Sequence, residues 1–215
     1  MDPADFVRGN TAIGSPPLVP EIRLHLATEV TPIWQATEES LSRFGTPPPF
    51  WAFAWAGGQA LARYILDHPE TVAGNDVLDV ASGSGMVAIA AATAGARRVT
   101  ASDIDPFAAA AIGLNTALNG VSVSIDTRDL LDRGPAGWSV VTAGDVCYEE
   151  KMSSRMIALL RRIAARGRLA LLGDPGRAYL PREGLAERAR YVVPVSRELE
   201  DREAREGVVY EVLPE

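Results

Sequence analysis

The sequence has little of the chemistry that disulfides and metal sites need. Its 215 residues include one cysteine, Cys147, and two histidines, His25 and His68. One thiol cannot form an internal disulfide, and this set is too small for a cysteine-rich zinc site. We therefore expect no metal and a protein suited to a reducing compartment, the cytoplasm. Neither histidine has a motif that would activate Cys147, so we expect a small buried residue there and no nucleophile.

Excess positive charge and long apolar runs are missing as well. The formal net charge is -7 and the isoelectric point is near 5.0. This balance argues against a nucleic-acid partner, because phosphate binding draws on a basic surface. No run reaches the ~18 apolar residues of a membrane span, and the first ten residues lack the pattern of a signal peptide. We expect a soluble, cytoplasmic protein with no membrane partner, and nothing in the sequence indicates its oligomeric state.

The composition fits one domain of ordinary size, since 215 residues with 47% hydrophobic content can bury a full core. Four prolines within residues 1–20 predict irregular backbone there. We therefore expect a partly irregular N-terminal extension over residues 1–30 and the domain over residues 31–215. A Thr-Pro pair opens an apolar pattern with helical spacing and predicts a helix over residues 32–44.

Beyond this helix, strand patterns and helix patterns alternate along the chain. The predicted strands cover residues 77–80, 98–102, 121–125, 138–143 and 168–172, and the predicted helices cover residues 86–94, 106–119 and 152–165. Such alternation predicts an α/β fold with a doubly wound, mostly parallel, Rossmann-like sheet and right-handed crossovers. Two further β-rich runs, at 191–195 and 208–213, predict an antiparallel pair of strands at the C-terminus.

The first predicted strand runs into a glycine-rich turn that carries Gly83 and Gly85. Glycine permits positive φ and lets a ligand lie against bare backbone, and a helix begins directly after the turn. About twenty residues further on, the second strand ends in Asp103, whose carboxylate can accept hydrogen bonds from two ribose hydroxyls. The loop after the third strand, with Asp129 and Leu130, is well placed for an adenine ring.

Charge at this turn discriminates between nucleotide ligands. A P-loop needs Lys and then Ser or Thr after its last glycine, and Met86 and Val87 stand there instead. A pyrophosphate would be repelled by Asp79, the carboxylate at the end of the first strand, whereas the sulfonium and ammonium groups of S-adenosylmethionine would be attracted. The sequence therefore favours S-adenosylmethionine. A nicotinamide or flavin dinucleotide and a purely structural turn remain as alternatives.

A second polar group, Asp145 with Tyr148, follows the fourth strand. In a doubly wound sheet the C-terminal ends of strands near the switch point border the ligand crevice. A carboxylate can hold an N–H while a phenol orients the lone pair, so this pair suits methylation of an amine. Lysine has a free pKa of ~10.4 and needs such help, and desolvation lowers that value. The alternatives are a helix cap or loop carboxylate for Asp145 and a core position for Tyr148.

Four aromatic residues lie close together in residues 50–55, before the first strand: Phe50, Trp51, Phe53 and Trp55. Alternating aromatics are often core residues. Trp55 stands just before a glycine pair, so we predict that it lines the cofactor. We predict that Trp51 and Phe53 face the substrate, where aromatic rings would stabilise a methylated ammonium by about 0.5–2 kcal/mol through cation–π contact.

Five segments together resemble a known family: PFWAFAWAGGQALARYIL, VLDVASGSG, TASDIDPFA, GLNTALNGV and GDVCYEE. The chain is similar over residues 30–175 to the seven-β-strand, class I protein-lysine methyltransferases, which carry an acid-x-x-Tyr signature after the fourth strand. Within them it is most similar to bacterial members of the group that modifies the β subunit of electron transfer flavoprotein. The glycine turn is shared by many unrelated methyltransferases, whereas the first and last of these segments are specific.

The resemblance implies an S-adenosylmethionine-dependent protein-lysine N-methyltransferase that acts on that flavoprotein subunit, with a ribosomal protein as a further candidate substrate. It implies catalytic roles for Asp145 and Tyr148 and cofactor contacts at Trp55, Ala81, Gly83, Asp103, Leu130 and Gly144. The strand ends add Asp79, Ser82, Gly85, Ile104 and Asp129 to the predicted cofactor site.

Two departures from the family pattern are visible. Ala81 replaces the usual first glycine, which is tolerable if its φ is negative, and Val146 and Cys147 replace the paired prolines of nucleic-acid amino methyltransferases. Two alternatives stay open. One is methylation of another amine, on a ribosomal protein N-terminus or a small metabolite, and the other is a module that binds the cofactor without a substrate.

Overall fold

A computed structural model describes residues 2–27, 48–132, 137–195 and 202–214. The predicted helix over residues 32–44 lies outside the described residues, as does the boundary between residues 30 and 31, so that domain division stays a prediction. The helices are α1 Pro3–Asn10, α2 Ala56–Asp67, α3 Met86–Thr93, α4 Pro106–Leu118 and α5 Glu150–Ala164, with short 3-10 turns at Phe50–Ala52 and Pro69–Thr71.

Seven strands form the central sheet, in the order β5-β4-β3-β6-β7-β9-β8. They are β3 Asp76–Val80, β4 Arg98–Ser102, β5 Ser124–Asp126, β6 Val140–Gly144, β7 Leu169–Asp174, β8 Leu185–Pro194 and β9 Ala204–Val212. β3 to β7 pair in parallel with one another, and β9 pairs antiparallel with both β7 and β8. The predicted doubly wound sheet with an antiparallel C-terminal pair is therefore confirmed.

The chain begins the sheet at its centre with β3 and builds outward through β4 and β5. It then crosses to the other side of β3 and continues with β6 and β7. This reversal creates a crevice at the carboxyl ends of β3 and β6, which is where ligands bind in open α/β sheets. The predicted site residues follow these strand ends.

Of the five strands predicted between residues 77 and 172, β4 alone keeps both predicted bounds; β3 begins one residue earlier, β6 is shifted to Val140–Gly144, and β5 and β7 differ for reasons visible in their hydrogen bonds. β5 is short, Ser124–Asp126, because the N–H of Val121 bonds back to the carbonyl of Thr116 and completes the end of α4. β7 continues to Asp174, two residues further than predicted, because Gly173 and Asp174 pair with β9.

The C-terminal strands are longer than predicted. β8 begins at Leu185, before the first β-rich run, and β9 begins at Ala204, inside the charged stretch between the two runs, and charged side chains pair across the ladder. Arg188 contacts Glu211, and Arg190 contacts Glu206. Such cross-strand pairs stabilise a sheet surface that has no apolar cover.

The N-terminal segment is ordered, which the proline content did not indicate. Asp2 caps α1 by accepting hydrogen bonds from the backbone N–H groups of Ala4 and Asp5, and proline occupies the first helical position. Two short strands, β1 Ala12–Gly14 and β2 Leu24–Leu26, form an antiparallel hairpin. The expectation of irregular backbone over residues 1–20 is therefore wrong for α1 and β1, because proline starts helices as well as breaking them.

Helix α2 packs so closely on the sheet that two glycines are required. A Cβ atom at Gly57 would lie 2.4 Å from the carbonyl oxygen of Gly173 in β7, and one at Gly144 would lie 2.9 Å from the Cα of Gly58. The N-terminus of α2 therefore lies directly on the carboxyl ends of β6 and β7.

No helix among the described residues is long and apolar enough to cross a membrane.

Candidate active site

A cavity of about 540 Å³ opens at the carboxyl ends of β3, β4 and β6. Most of the residues predicted from the sequence line it, although they come from segments far apart in the chain. They are Trp51, Phe53, Trp55, Asp79, Ala81, Ser82, Gly83, Asp103, Ile104, Asp129, Leu130, Gly144, Asp145 and Tyr148. Gly85 is the one predicted residue outside the lining, although it adjoins it in the chain.

The glycine-rich turn after β3 contains three residues with positive φ. The values are 53° at Ala81, 54° at Gly83 and 82° at Gly85. The condition under which alanine would be tolerated at position 81, a negative φ, is therefore not met, and this alanine holds a conformation that costs roughly 1–2 kcal/mol in an L-residue. Gly85 caps α3, and a Cβ there would lie 3.3 Å from Ile112, so its place in the structure is explained by packing.

Asp103 links the second strand to this turn. Its Oδ2 accepts a hydrogen bond from the N–H of Gly83 at 2.9 Å, and its Oδ1 accepts one from the N–H of Asp105 at 3.0 Å. Burial raises the pKa of this carboxyl. Each carboxylate oxygen can accept a second hydrogen bond, so the side chain suits a ligand with two neighbouring hydroxyl groups.

Asp79 is buried and bonded within the protein. Its carboxylate accepts hydrogen bonds from the hydroxyl of Ser82 and, at 2.9 Å, from that of Thr142. Burial raises its pKa to about 6. The group is still mostly ionised at neutral pH, so the cavity wall at the end of β3 carries negative charge.

Asp145 follows β6 directly and is buried. Its φ of 59° turns the side chain toward the N-terminus of α2. One carboxylate oxygen accepts a hydrogen bond from the N–H of Gly57 at 2.8 Å. The other forms an ion pair with Nε of Arg177 at 2.5 Å. Asp145 is therefore an oriented carboxylate in the cavity wall that also satisfies a free backbone N–H in the first turn of α2, while Glu149 is the N-cap of α5.

Tyr148 lines the same cavity and is 45% exposed, which excludes a core role. Its ring packs on Phe50, with the ring centroids 5.2 Å apart. Burial of the hydroxyl and the nearby negative charge of Asp103 raise its pKa. The phenol therefore stays protonated at neutral pH and can both donate and accept a hydrogen bond.

Cys147, between these two residues, is fully buried, as expected. Burial raises the pKa of its thiol to about 12. A thiol in this state supplies almost no thiolate at neutral pH, so it cannot act as a nucleophile. Within the described parts of the chain, no group of three or more His, Cys, Asp or Glu side chains could hold a metal ion.

The aromatic residues divide between core and cavity. Trp51 is only 2% exposed and, with Phe53, packs in a cluster with Val7 and Ala108, so both touch the cavity mainly as core residues. Trp55 donates its indole N–H to the carbonyl of Phe50 at 2.9 Å.

Arg177 and Phe50 are among the cavity residues that the sequence did not assign to the site. The guanidinium carbon of Arg177 lies 5.6 Å from the ring centroid of Trp55, so a positively charged group of the protein itself lies over the indole face. Phe50 was treated as core, yet it packs on Tyr148 in the lining. The available signal for Arg177 was its position in the turn after β7, at the same edge of the sheet as Asp145.

Sequence comparisons identify relatives of this protein. A family model described as "Ribosomal protein L11 methyltransferase (PrmA)" matches residues 60–143. The electron transfer flavoprotein beta subunit lysine methyltransferase of Xenopus laevis is 42% identical over 178 residues, which cover 82% of this chain and 71% of that protein. The Homo sapiens protein of the same name is 38% identical over 89% of this chain and 73% of its own length. This chain belongs to the electron transfer flavoprotein β-subunit lysine methyltransferase family.

Solved structures support the fold of this methyltransferase. The magnesium protoporphyrin IX methyltransferase of Synechocystis with bound SAH aligns with a TM-score of 0.52 at 18% identity, covering 72% of this chain and 80% of that one. At this identity the likeness concerns the fold alone. It agrees with the class I methyltransferase architecture that the order of strands predicts.

Proposed function

We propose that this methyltransferase transfers methyl groups from S-adenosylmethionine to lysine side chains of the electron transfer flavoprotein β subunit. The observation that carries the proposal is the shared cavity. Asp103, which can accept hydrogen bonds from ribose hydroxyls, and Asp145, which can accept one from an amine, line one space together with Tyr148. Family membership supports the choice of donor and of protein substrate.

The residues present fit the donor. Gly83 offers bare backbone with positive φ, and the nearest atom to an added Cβ there is the Cα of Trp51 at 3.7 Å, so a side chain would enter ligand space. Asp103 can accept hydrogen bonds from two ribose hydroxyls, and Ile104 and Leu130 provide apolar surface for adenine. When bound, S-adenosylmethionine supplies a methyl group on an electrophilic sulfonium.

The remaining chemistry belongs to the protein. The carboxylate of Asp145 accepts a hydrogen bond from an N–H of the incoming lysine amine and so directs the lone pair of the nitrogen. The hydroxyl of Tyr148 lies on the other side of the amine. Desolvation in the cavity and the positive charge of the donor's sulfonium lower the pKa of the lysine amine from ~10.4 and increase the fraction with a free lone pair, whereas the carboxylate of Asp145 raises this pKa, so the lowering must exceed that opposing effect. Holding amine and methyl group in line then supplies much of the rate.

The test uses purified electron transfer flavoprotein and S-adenosylmethionine with a labelled methyl group. We expect label on the β subunit, at lysine by peptide mass spectrometry, with wild-type enzyme. Asp145→Asn should lose transfer but still bind S-adenosylhomocysteine, since it keeps the size of the side chain and removes only the charge. If the flavoprotein stays unlabelled while another protein is labelled, this substrate is rejected. Retained turnover in Asp145→Asn would remove Asp145 from the mechanism.

Ribosomal protein L11 is a second candidate acceptor, favoured by the family model that matches residues 60–143. That match ends before Asp145 and Tyr148, so it bears on the half of the protein that holds the donor. Including L11 and a small-molecule fraction in the same labelling experiment separates the candidates. Label on L11 but not on the flavoprotein would favour the second one.

We also propose that the enzyme acts in the cytoplasm and that residues 31–215 form its catalytic domain, without a nucleic-acid partner. The net charge of -7 supports the last point. Cell fractionation followed by immunoblotting tests the location, and label found in the RNA fraction would contradict the absence of a nucleic-acid partner.

A further inference from the structure

We propose that Arg177 is a positioning residue of this site, which fixes the carboxylate of Asp145 in the orientation that receives the substrate amine. The inference deepens the proposed function and rests on it. It concerns a residue from the turn after β7, which lies 32 positions from its partner in the chain.

The carboxylate of Asp145 is held by two donors on different oxygens. The N–H of Gly57 bonds to Oδ2 at 2.8 Å, and Nε of Arg177 bonds to Oδ1 at 2.5 Å. One donor on each oxygen restricts rotation about the bond to the carboxyl group. The remaining acceptor sites then keep a constant direction in the cavity wall. Without Arg177 the terminal torsion of the aspartate is less constrained, since its intrinsic preference is broad and shallow.

Arg177 is itself held at both ends. Oδ1 of Asp174 accepts hydrogen bonds from the backbone N–H groups of Gly176 and Arg177, both at 2.7 Å, which fixes the turn. At the other end the guanidinium lies over the ring of Trp55 at 5.6 Å. The fold therefore already orders this long side chain, so bonding to Asp145 costs little further conformational entropy. A charge-assisted hydrogen bond from such a donor is strong and directional.

An ion pair with a purely structural role would look similar, so the two roles must be separated by their consequences. A structural role predicts loss of stability with kcat per folded molecule unchanged. A positioning role predicts loss of kcat while affinity for the cofactor is preserved, because Arg177 acts on Asp145 at the methyl-accepting end of the site. Misplacement of a reacting group by about 1 Å can cost a factor of roughly 100 in rate.

Arg63 provides the matched control. Its side chain is 18% exposed, against 16% for Arg177, and it pairs with Glu21 and Asp67 at 2.7 and 2.8 Å. It lies on α2 and does not line the cavity. Arg63→Gln should leave kcat unchanged and lower the unfolding midpoint less than Arg177→Gln, because Glu21 and Asp67 are about half exposed whereas Asp145 is buried.

The kinetic test compares Arg177→Gln and Arg177→Lys with wild type. We expect Arg177→Gln to lower kcat by about 10- to 100-fold, with the Kd for S-adenosylhomocysteine within about twofold, and Arg177→Lys to recover part of the loss because it restores a charged donor. In an Asp145→Asn background, Arg177→Gln should add less than about threefold, since residues that act as a unit are not additive. Unchanged kcat in Arg177→Gln, or a full additional loss in the double variant, would overturn the proposal.

A second measurement does not depend on the acceptor and so separates this proposal from failure of the proposed substrate. It is a crystal structure of Arg177→Gln with S-adenosylhomocysteine. We expect the carboxylate of Asp145 to be rotated or to occupy more than one conformer. A single conformer identical to that of the wild type would overturn the positioning role, even if the flavoprotein proves not to be the substrate.

Discussion

Asn115 ties the N-terminal hairpin to the glycine-rich turn, and its removal is a sharp test of the packing. It lies on α4 with no exposed surface. Its amide nitrogen donates to the carbonyl of Ser84 at 2.8 Å, and its amide oxygen accepts from the N–H of His25 at 2.8 Å. One side chain therefore satisfies two backbone groups from segments that are otherwise separate.

Asn115→Ala should leave both backbone groups without a partner. A buried unsatisfied group costs about 1–3 kcal/mol, and because the two sites can relax in part we expect a total of about 2–4 kcal/mol. For a domain of this length each kcal/mol lowers the midpoint of thermal unfolding by about 2–4 °C, so the expected fall is about 4–16 °C. Urea titration gives the free energy of unfolding directly.

Asn119 is the matched control, because it stands one turn later on the same helix end and bonds the same hairpin. It exchanges hydrogen bonds with the backbone of Arg23, but these bonds are exposed and water can replace them. Asn119→Ala should cost less than about 1 kcal/mol. Equal losses in the two variants would refute the reasoning that burial of the Asn115 amide sets its contribution.

Two further perturbations probe the turn and the buried carboxylates. Gly83→Arg should abolish binding of S-adenosylhomocysteine in calorimetry, whereas Gly74→Arg, which has the same backbone strain and open space around it, should bind normally; binding by both variants would contradict the assignment of the turn. Burial raises the pKa of Asp174 from 3.8 to about 6, so its contribution to stability is fully present below about pH 4 and is lost as pH rises through about 6. Asp174→Asn removes that loss. The urea midpoint of this variant minus that of wild type should therefore increase from pH 4 to pH 6, and a difference that stays constant over this range would contradict the prediction.

Local rules account for the parts of the fold that the sequence predicted well. β4 has the predicted bounds, and α3 begins at the predicted Met86, because a buried strand, a glycine turn and a helix start each have short-range signatures. α4 begins at the predicted residue 106, where Asp105 caps it by accepting a hydrogen bond from the N–H of Phe107. Asp2 and Pro3 form the same Asp-Pro helix start at α1.

The missing parts depend on contacts between distant segments. Arg177 has no local mark of function, since its role requires that β6 and β7 be neighbours and that α2 lie on their ends. The positive φ of Ala81 is likewise imposed by the turn between β3 and α3, against the preference of alanine. Trp51 and Phe53 could not be divided between core and substrate by spacing alone, because burial by α1 and α4 decides the matter.

The most direct measurement is a crystal structure of the wild-type protein with S-adenosylhomocysteine. The account predicts both ribose hydroxyls on the carboxylate of Asp103, backbone contact at Gly83, and the sulfur facing the space between Asp145 and Tyr148. A ligand bound outside this cavity, or a sulfur directed away from Asp145 and Tyr148, would contradict it.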